Sequence, residues 1–94
     1  MFNKNLLTLC IPTYNRKQIV SELIDGLLRS GVNNIADILI IDDGSKDRTY
    51  QALMQFCSYK NIQVLANESN IGYARTFMRC FDECKTEYLI MCTD

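Results

Sequence analysis

The chain has 94 residues, 48% hydrophobic and 22% charged, with one proline and four glycines. That length reaches only the lower edge of a typical domain of roughly 100–150 residues, which excludes two independent domains, and the apolar content excludes disorder. Ten Lys/Arg against eleven Asp/Glu leave a net charge of −1, removing the general attraction on which non-specific nucleic-acid or anionic-membrane binding depends, so no nucleic-acid partner is expected.

In chain order, Leu6 to Ile11 is a short apolar run stopped by Pro12, a pattern that fits a strand buried on both faces better than a helix. From Arg16 to Ser30 the residues Ile19, Val20, Leu23, Ile24, Leu27 and Leu28 form one helical stripe, and Gly31 supplies the stop. Ile38 to Ile41 is a second buried strand that ends in Asp42-Asp43-Gly44-Ser45, a cluster of turn formers. Ser45 or Asp47 then caps a helix carrying Tyr50, Leu53, Met54 and Cys57, and Ile62 to Leu65 reads as a third strand. After a polar turn from Asn67 to Gly72, the residues Ala74, Phe77, Met78 and Phe81 define a third amphipathic helix, and Tyr88 to Cys92 is a fourth apolar strand. The helix stripes are read as core.

The order β-α-β-α-β-α-β, with strands apolar throughout, requires a mostly parallel open sheet with helices on both faces, an α/β fold, because right-handed crossovers place the helices there. Five cysteines, Cys10, Cys57, Cys80, Cys84 and Cys92, are an odd number at apolar positions, which points to small buried hydrophobes in a reducing compartment and against a disulfide framework. Cys80 and Cys84 stand one helical turn apart, but two thiolates make half a zinc site and no second pair follows. There is no histidine, so histidine-based catalysis is excluded within the chain. Met1 to Asn5 have no apolar stretch or small-residue cleavage site behind them and do not read as a secretory signal; a cytoplasmic setting is expected.

In an open α/β sheet the ligand crevice lies beyond the carboxyl ends of the strands. Here those ends carry Pro12-Thr13-Tyr14-Asn15, Asp42-Asp43-Gly44-Ser45, Asn67 to Gly72 and Thr93-Asp94, so an aromatic, polar groups and carboxylates converge on one rim. Neither a G-x-G-x-x-G after the first strand nor a P-loop is present, so a nucleotide must be held by other means.

The segments Ile11-Pro12-Thr13-Tyr14-Asn15-Arg16, Ile40-Ile41-Asp42-Asp43-Gly44-Ser45-Lys46-Asp47 and Asn70-Ile71-Gly72-Tyr73-Ala74-Arg75, with Asp94 at the end, resemble the family-2 inverting glycosyltransferases of GT-A fold, in order and spacing along the whole chain. The resemblance implies a Rossmann-like donor half that binds a nucleotide-sugar, with uridine diphosphate as the expected carrier. By the same resemblance Tyr14 stacks on the base, with Pro12 and Thr13 supplying backbone contacts. Asp43 accepts the hydrogen bond of the uracil ring nitrogen, and Asp42 braces the turn. Arg75 approaches the base or the diphosphate, where a guanidinium fork matches either oxygen pattern. Asp94 opens the acidic motif that contacts ribose and, through a following carboxylate, a divalent metal, Mn²⁺ or Mg²⁺.

The chain departs from the family pattern in stopping at Asp94, where a further acidic residue is needed, and in carrying Thr93 where many members have aspartate. Residues 1–94 are therefore expected to be one donor-binding half-domain that ends where the metal motif starts, with no catalytic residue of its own and little or no turnover. The parent enzyme would transfer the sugar, with inversion, to a glycan or lipid-linked acceptor, in polysaccharide synthesis, in the cytoplasm or peripheral to the membrane. Self-association through an apolar face or an edge strand is expected of such a half. A receiver-like signalling or binding module is the alternative, disfavoured because receivers carry their acidic pair after the first strand, not the second.

Overall fold

A computed structural model describes residues 5–94; of the segment read as lacking a secretory signal, residues 1–4 lie outside that range. Four strands, β1 (Leu7–Thr13), β2 (Asp37–Asp42), β3 (Ile62–Ala66) and β4 (Tyr88–Met91), form one sheet in the order β3-β2-β1-β4. All three pairings are parallel, with Thr13 opposite Asp42, Asp42 opposite Ala66 and Cys10 opposite Met91. Three helices connect them, α1 (Lys17–Ser30), α2 (Thr49–Leu53) and α3 (Tyr73–Glu83), with short 3₁₀ turns at Val32–Asn34 and Met54–Phe56. The α/β class and the element order are as expected.

The core has two parts, one on each face of the sheet. On one face Ile11, Ile38, Ile40 and Val64 of the strands pack with Val20 and Ile24 of α1, Leu53 of α2 and Phe56. On the other, Cys10, Leu39 and Ile41 pack with Cys80 of α3. Alternate strand positions thus feed opposite cores, which is why these runs are apolar throughout rather than alternating. Gly31 ends α1 as expected, in the left-handed region at φ 79°, its N–H donating to Leu28 O at 3.1 Å.

Several expectations are corrected. β1 continues through Pro12 instead of stopping before it. Thr13 O accepts from Asp43 N on the β2 side and Cys10 O from Cys92 N on the β4 side, so the N–H that Pro12 lacks would face the open end of β4 and its absence costs little. The apolar stripe of α3 is not its core face. Met78 and Phe81 are exposed, while the helix docks through buried Thr76 and Cys80. Likewise Ile19, Met54 and Cys57 are exposed, and the buried residues around α2 are Thr49, Leu53 and Phe56. β4 is an edge strand, with Tyr88 and Ile90 exposed and Leu89 and Met91 turned to the α3-side core.

Cys10 and Cys80 are joined as a disulfide across 70 residues, with their Cα atoms 6.3 Å apart. This overturns the expectation of five reduced cysteines; three, Cys57, Cys84 and Cys92, are free. The reason is topological: the α3-facing position of the central strand β1 lies under the inward position of α3. No sequence spacing reveals that juxtaposition. No helix among the described residues is long and apolar enough to cross a membrane.

Candidate functional site

The strand order reverses at β1, since β2 and β3 lie to one side of it and β4 to the other. In an open parallel sheet that is where a crevice opens at the strands' carboxyl ends. A cleft of about 560 Å³ lies there, within the range of small-molecule sites. β1 supplies Pro12, Thr13 and the following Tyr14 and Arg16; the end of β2 supplies Asp43; the loop into α3 and its first turns supply Asn70, Gly72, Tyr73 and Thr76; the segment after β4 supplies Thr93 and Asp94.

The two acidic residues after β2 have separate tasks. Asp42 is buried and its carboxylate accepts from Ser45 N at 3.0 Å and from the Ser45 hydroxyl, so it closes the turn and does not line the cleft. The Ser45 hydroxyl oxygen in turn accepts from Asn15 N, and Asn15 Oδ1 accepts from Lys46 N, both at 2.8 Å, which ties the loop after β1 to the loop after β2. Asp43 is only 4% exposed. Its Oδ1 accepts from Asn67 Nδ2 at 2.9 Å and Ile71 N at 2.8 Å, and its Oδ2 from Asn70 Nδ2 at 3.1 Å and Gly72 N at 3.0 Å. Four donors fill the usual capacity of a carboxylate, so Asp43, although it lines the cleft, organises the Asn67 to Gly72 loop and the entry to α3.

At the other wall, Asp94 accepts from the Thr13 hydroxyl and lies 3.9 Å from Arg16 Nε. Tyr14 is partly exposed over the cleft mouth. Of the residues expected at the site, Pro12, Thr13, Tyr14, Asp43 and Asp94 are brought together, Asp42 sits behind them, and Arg75 is exposed on α3 outside the lining. The arginine that reaches the strand-end loop is Arg79, one turn later, donating to Asn67 Oδ1 at 2.8 Å and Ala66 O at 3.1 Å. Sequence reading missed Arg16, Asn70, Tyr73, Thr76 and Arg79 here. Arg16, Asn70 and Tyr73 lay inside the quoted segments, whereas Thr76 and Arg79 stand on a helix whose docking face was misread.

Asp47 closes the rim beside α1. Slight burial works against its ionised form, but hydrogen bonds from the Thr49 hydroxyl, Lys17 N and Thr49 N prevail and hold its carboxyl below the ordinary carboxylate range. The cap position of α2 is held by Arg48 and not, as expected, by Ser45 or Asp47; Asp47 instead accepts from the N–H of Thr49, the first residue of the helix. As to a metal, no group of three or more potential ligating side chains exists among the described residues. Asp94 is a single carboxylate with one oxygen accepting from the Thr13 hydroxyl, so the described residues do not by themselves fit a divalent cation.

Residues 8–94 match the model of Glycosyl transferase family 2. An uncharacterized glycosyltransferase of Mycoplasma pneumoniae, the MG025 homolog, is 34% identical over 89 residues, covering 92% of this chain and 30% of that protein. The crystal structure of S. aureus TarS 1-349 in complex with UDP-GlcNAc superposes with a TM-score of 0.81 at 21% identity, covering 93% of this chain and 26% of that one. The mannosyltransferase PcManGT from Pyrobaculum calidifontis, in complex with GDP-Man and Mn²⁺, superposes with a TM-score of 0.83 at 16% identity, covering 97% and 28%. The chain thus spans less than a third of the length of each of these proteins, and it shares the fold of the two solved structures over that span.

Proposed function

This chain belongs to glycosyl transferase family 2, and on that premise we propose that its strand-end cleft binds the nucleotide of a nucleotide-sugar donor. The observation that carries the reading is the convergence of Pro12, Thr13, Tyr14, Asp43 and Asp94 on one cleft at the reversal of strand order. Tyr14 offers an aromatic face to a base from a loop held by the Asn15–Ser45 link. Uridine is the base proposed, with Asp43 at its ring N–H edge; the four internal donors on Asp43 mean that this contact would share an oxygen already in use.

Residues 1–94 are proposed to be a donor-binding half without turnover of its own. Asp43 has both oxygens filled by four donors and so is not free to deprotonate an acceptor hydroxyl, and the other cleft carboxylate, Asp94, is tied through one oxygen to the Thr13 hydroxyl. In a longer protein the reaction proposed is a single displacement. The acceptor oxygen bonds to the anomeric carbon, the bond to the diphosphate breaks, and the acceptor proton passes to a base outside these residues, which inverts the anomeric centre. A glycan or lipid-linked acceptor, polysaccharide synthesis, a divalent metal held with carboxylates other than these, and a cytoplasmic or peripheral membrane setting belong to the same proposal. Family membership sets aside a receiver-like module.

Calorimetric titration of uridine diphosphate and its sugars, with and without Mn²⁺, tests the reading. Saturable binding lost in Tyr14→Ala, with the fold retained by circular dichroism, supports it; no binding to the folded chain refutes it for these residues.

A further inference from the structure

A diphosphate is an anion, and the cleft it would enter is lined by two carboxylates, Asp43 and Asp94, against one cationic side chain among the described residues, Arg16. Helix N-termini are a common way of holding phosphate, but those facing this rim already engage carboxylates of the chain. Lys17 N at the start of α1 donates to Asp47 Oδ2 at 3.2 Å, and Ile71 N and Gly72 N before α3 donate to Asp43 at 2.8 and 3.0 Å. The other arginines of this region do not compensate. Arg75 stands outside the lining, and Arg79 is committed to Ala66 O, Asn67 Oδ1 and Glu83 Oε2.

Arg16 is placed differently. It occupies the residue before α1, just beyond the end of β1 where the strand order reverses, and its side chain is 52% exposed. Its Nε is 3.9 Å from Asp94 Oδ1, too long for a hydrogen bond, and an open ion pair of this kind is worth little. Giving it up therefore costs little, whereas a guanidinium fork on two phosphate oxygens gains paired, charge-assisted bonds. Asp94 keeps the Thr13 hydroxyl when Arg16 leaves.

We propose that Arg16 is the diphosphate-binding residue of this cleft, exchanging Asp94 for phosphate oxygens when the donor enters, with Asp94 acting as its internal competitor. The proposal rests on the donor reading of the cleft and adds to it the residue that recognises the phosphates.

The test is calorimetry without divalent metal at low ionic strength, using uridine with UDP and guanosine with GDP, so that nucleoside and diphosphate contributions separate. Arg16→Ala is expected to weaken the diphosphate roughly tenfold or more while leaving its nucleoside within about twofold, and Arg16→Lys to fall between. Asp94→Asn, which can keep the Thr13 contact, is expected to tighten the diphosphate by about threefold, and by less on an Arg16→Ala background. An unchanged diphosphate affinity in Arg16→Ala, or equal losses for nucleoside and diphosphate, overturns the role of Arg16 while the donor reading stands. A folded wild-type chain that binds none of the four ligands overturns both.

Discussion

Gly44 shows how closely the loops behind the cleft approach one another. At φ +66° it occupies the left-handed region, and a Cβ added there would lie 2.4 Å from Ser69 C and 2.6 Å from Asn70 N. Both obstacles are backbone, so no side chain can swing away. Gly44→Ala is expected to lower stability by about 2 kcal/mol or more, read from urea unfolding, and to displace the Asn70 to Gly72 segment. Asp43, its neighbour, is more demanding. Asp43→Ala strands the Ile71 and Gly72 N–H groups, while the Asn67 and Asn70 amides keep Thr76 Oγ1 and Asp43 O as acceptors, at an expected cost of about 2–4 kcal/mol in the same measurement. Asp47 contributes with a definite sign. Its carboxyl titrates below the ordinary range when folded, so its share of stability is present above that range and lost as pH falls through the folded value. The drop in melting temperature between about pH 5 and pH 3 should therefore be shallower in Asp47→Asn than in wild type.

α3 is the element whose role differs most from its pattern. Its sequence shows an apolar stripe of Ala74, Phe77, Met78 and Phe81, and the rings of Tyr73, Phe77 and Phe81 follow one another in tilted contact, with centroids 6.1 and 5.3 Å apart. Yet the helix is fastened to the sheet by Cys80, Thr76 and Arg79. The Cys10–Cys80 bond closes a separation of 70 residues, for which chain entropy alone gives about 4 kcal/mol. Reduction should lower the unfolding midpoint in urea accordingly and loosen α3 before α1. Thiol labelling of the folded, unreduced chain gives a second reading of the same arrangement. Cys57, Cys84 and Cys92 are the free cysteines. Burial opposes the Cys84 thiolate, but its hydrogen bonding with Thr86 and Thr8 outweighs it and brings the thiol below its usual value, whereas burial pushes Cys92 up. Cys84 should therefore react with iodoacetamide ahead of Cys92 at neutral pH, and Cys10 and Cys80 should label only after reduction.

For the molecule as a whole, the sheet has a hydrophobic edge strand at β4, where Tyr88 and Ile90 are exposed on one side, while Phe81 and Met78 are exposed on α3. β4 carries no proline, bulge or inward charge of the kind that blunts an edge. We propose that the self-association expected from the sequence uses this edge. Sedimentation velocity should then give a coefficient that rises with concentration, and Ile90→Lys should restore a constant monomer value; a concentration-independent monomer in wild type would refute it.

Strand and helix order, the parallel sheet, and the gathering of Pro12, Thr13, Tyr14, Asp43 and Asp94 on one rim were legible in the sequence. They follow from chain-local properties: apolar runs of strand length, turn formers at their ends, and the rule that βαβ units point all strands one way. Which residues of a helix face the core was legible for α1, whose long stripe outvotes any single position, and not for α3, where a threonine and a disulfide-bonded cysteine dock the helix. The Cys10–Cys80 bond, the saturation of Asp43 by the next loop, the facing of Arg16 and Asp94, and the edge position of β4 were decided only by the tertiary structure. Each depends on where segments far apart in sequence come to lie, and that is set by strand order and by which face each crossover covers, neither of which leaves a periodic mark in the chain.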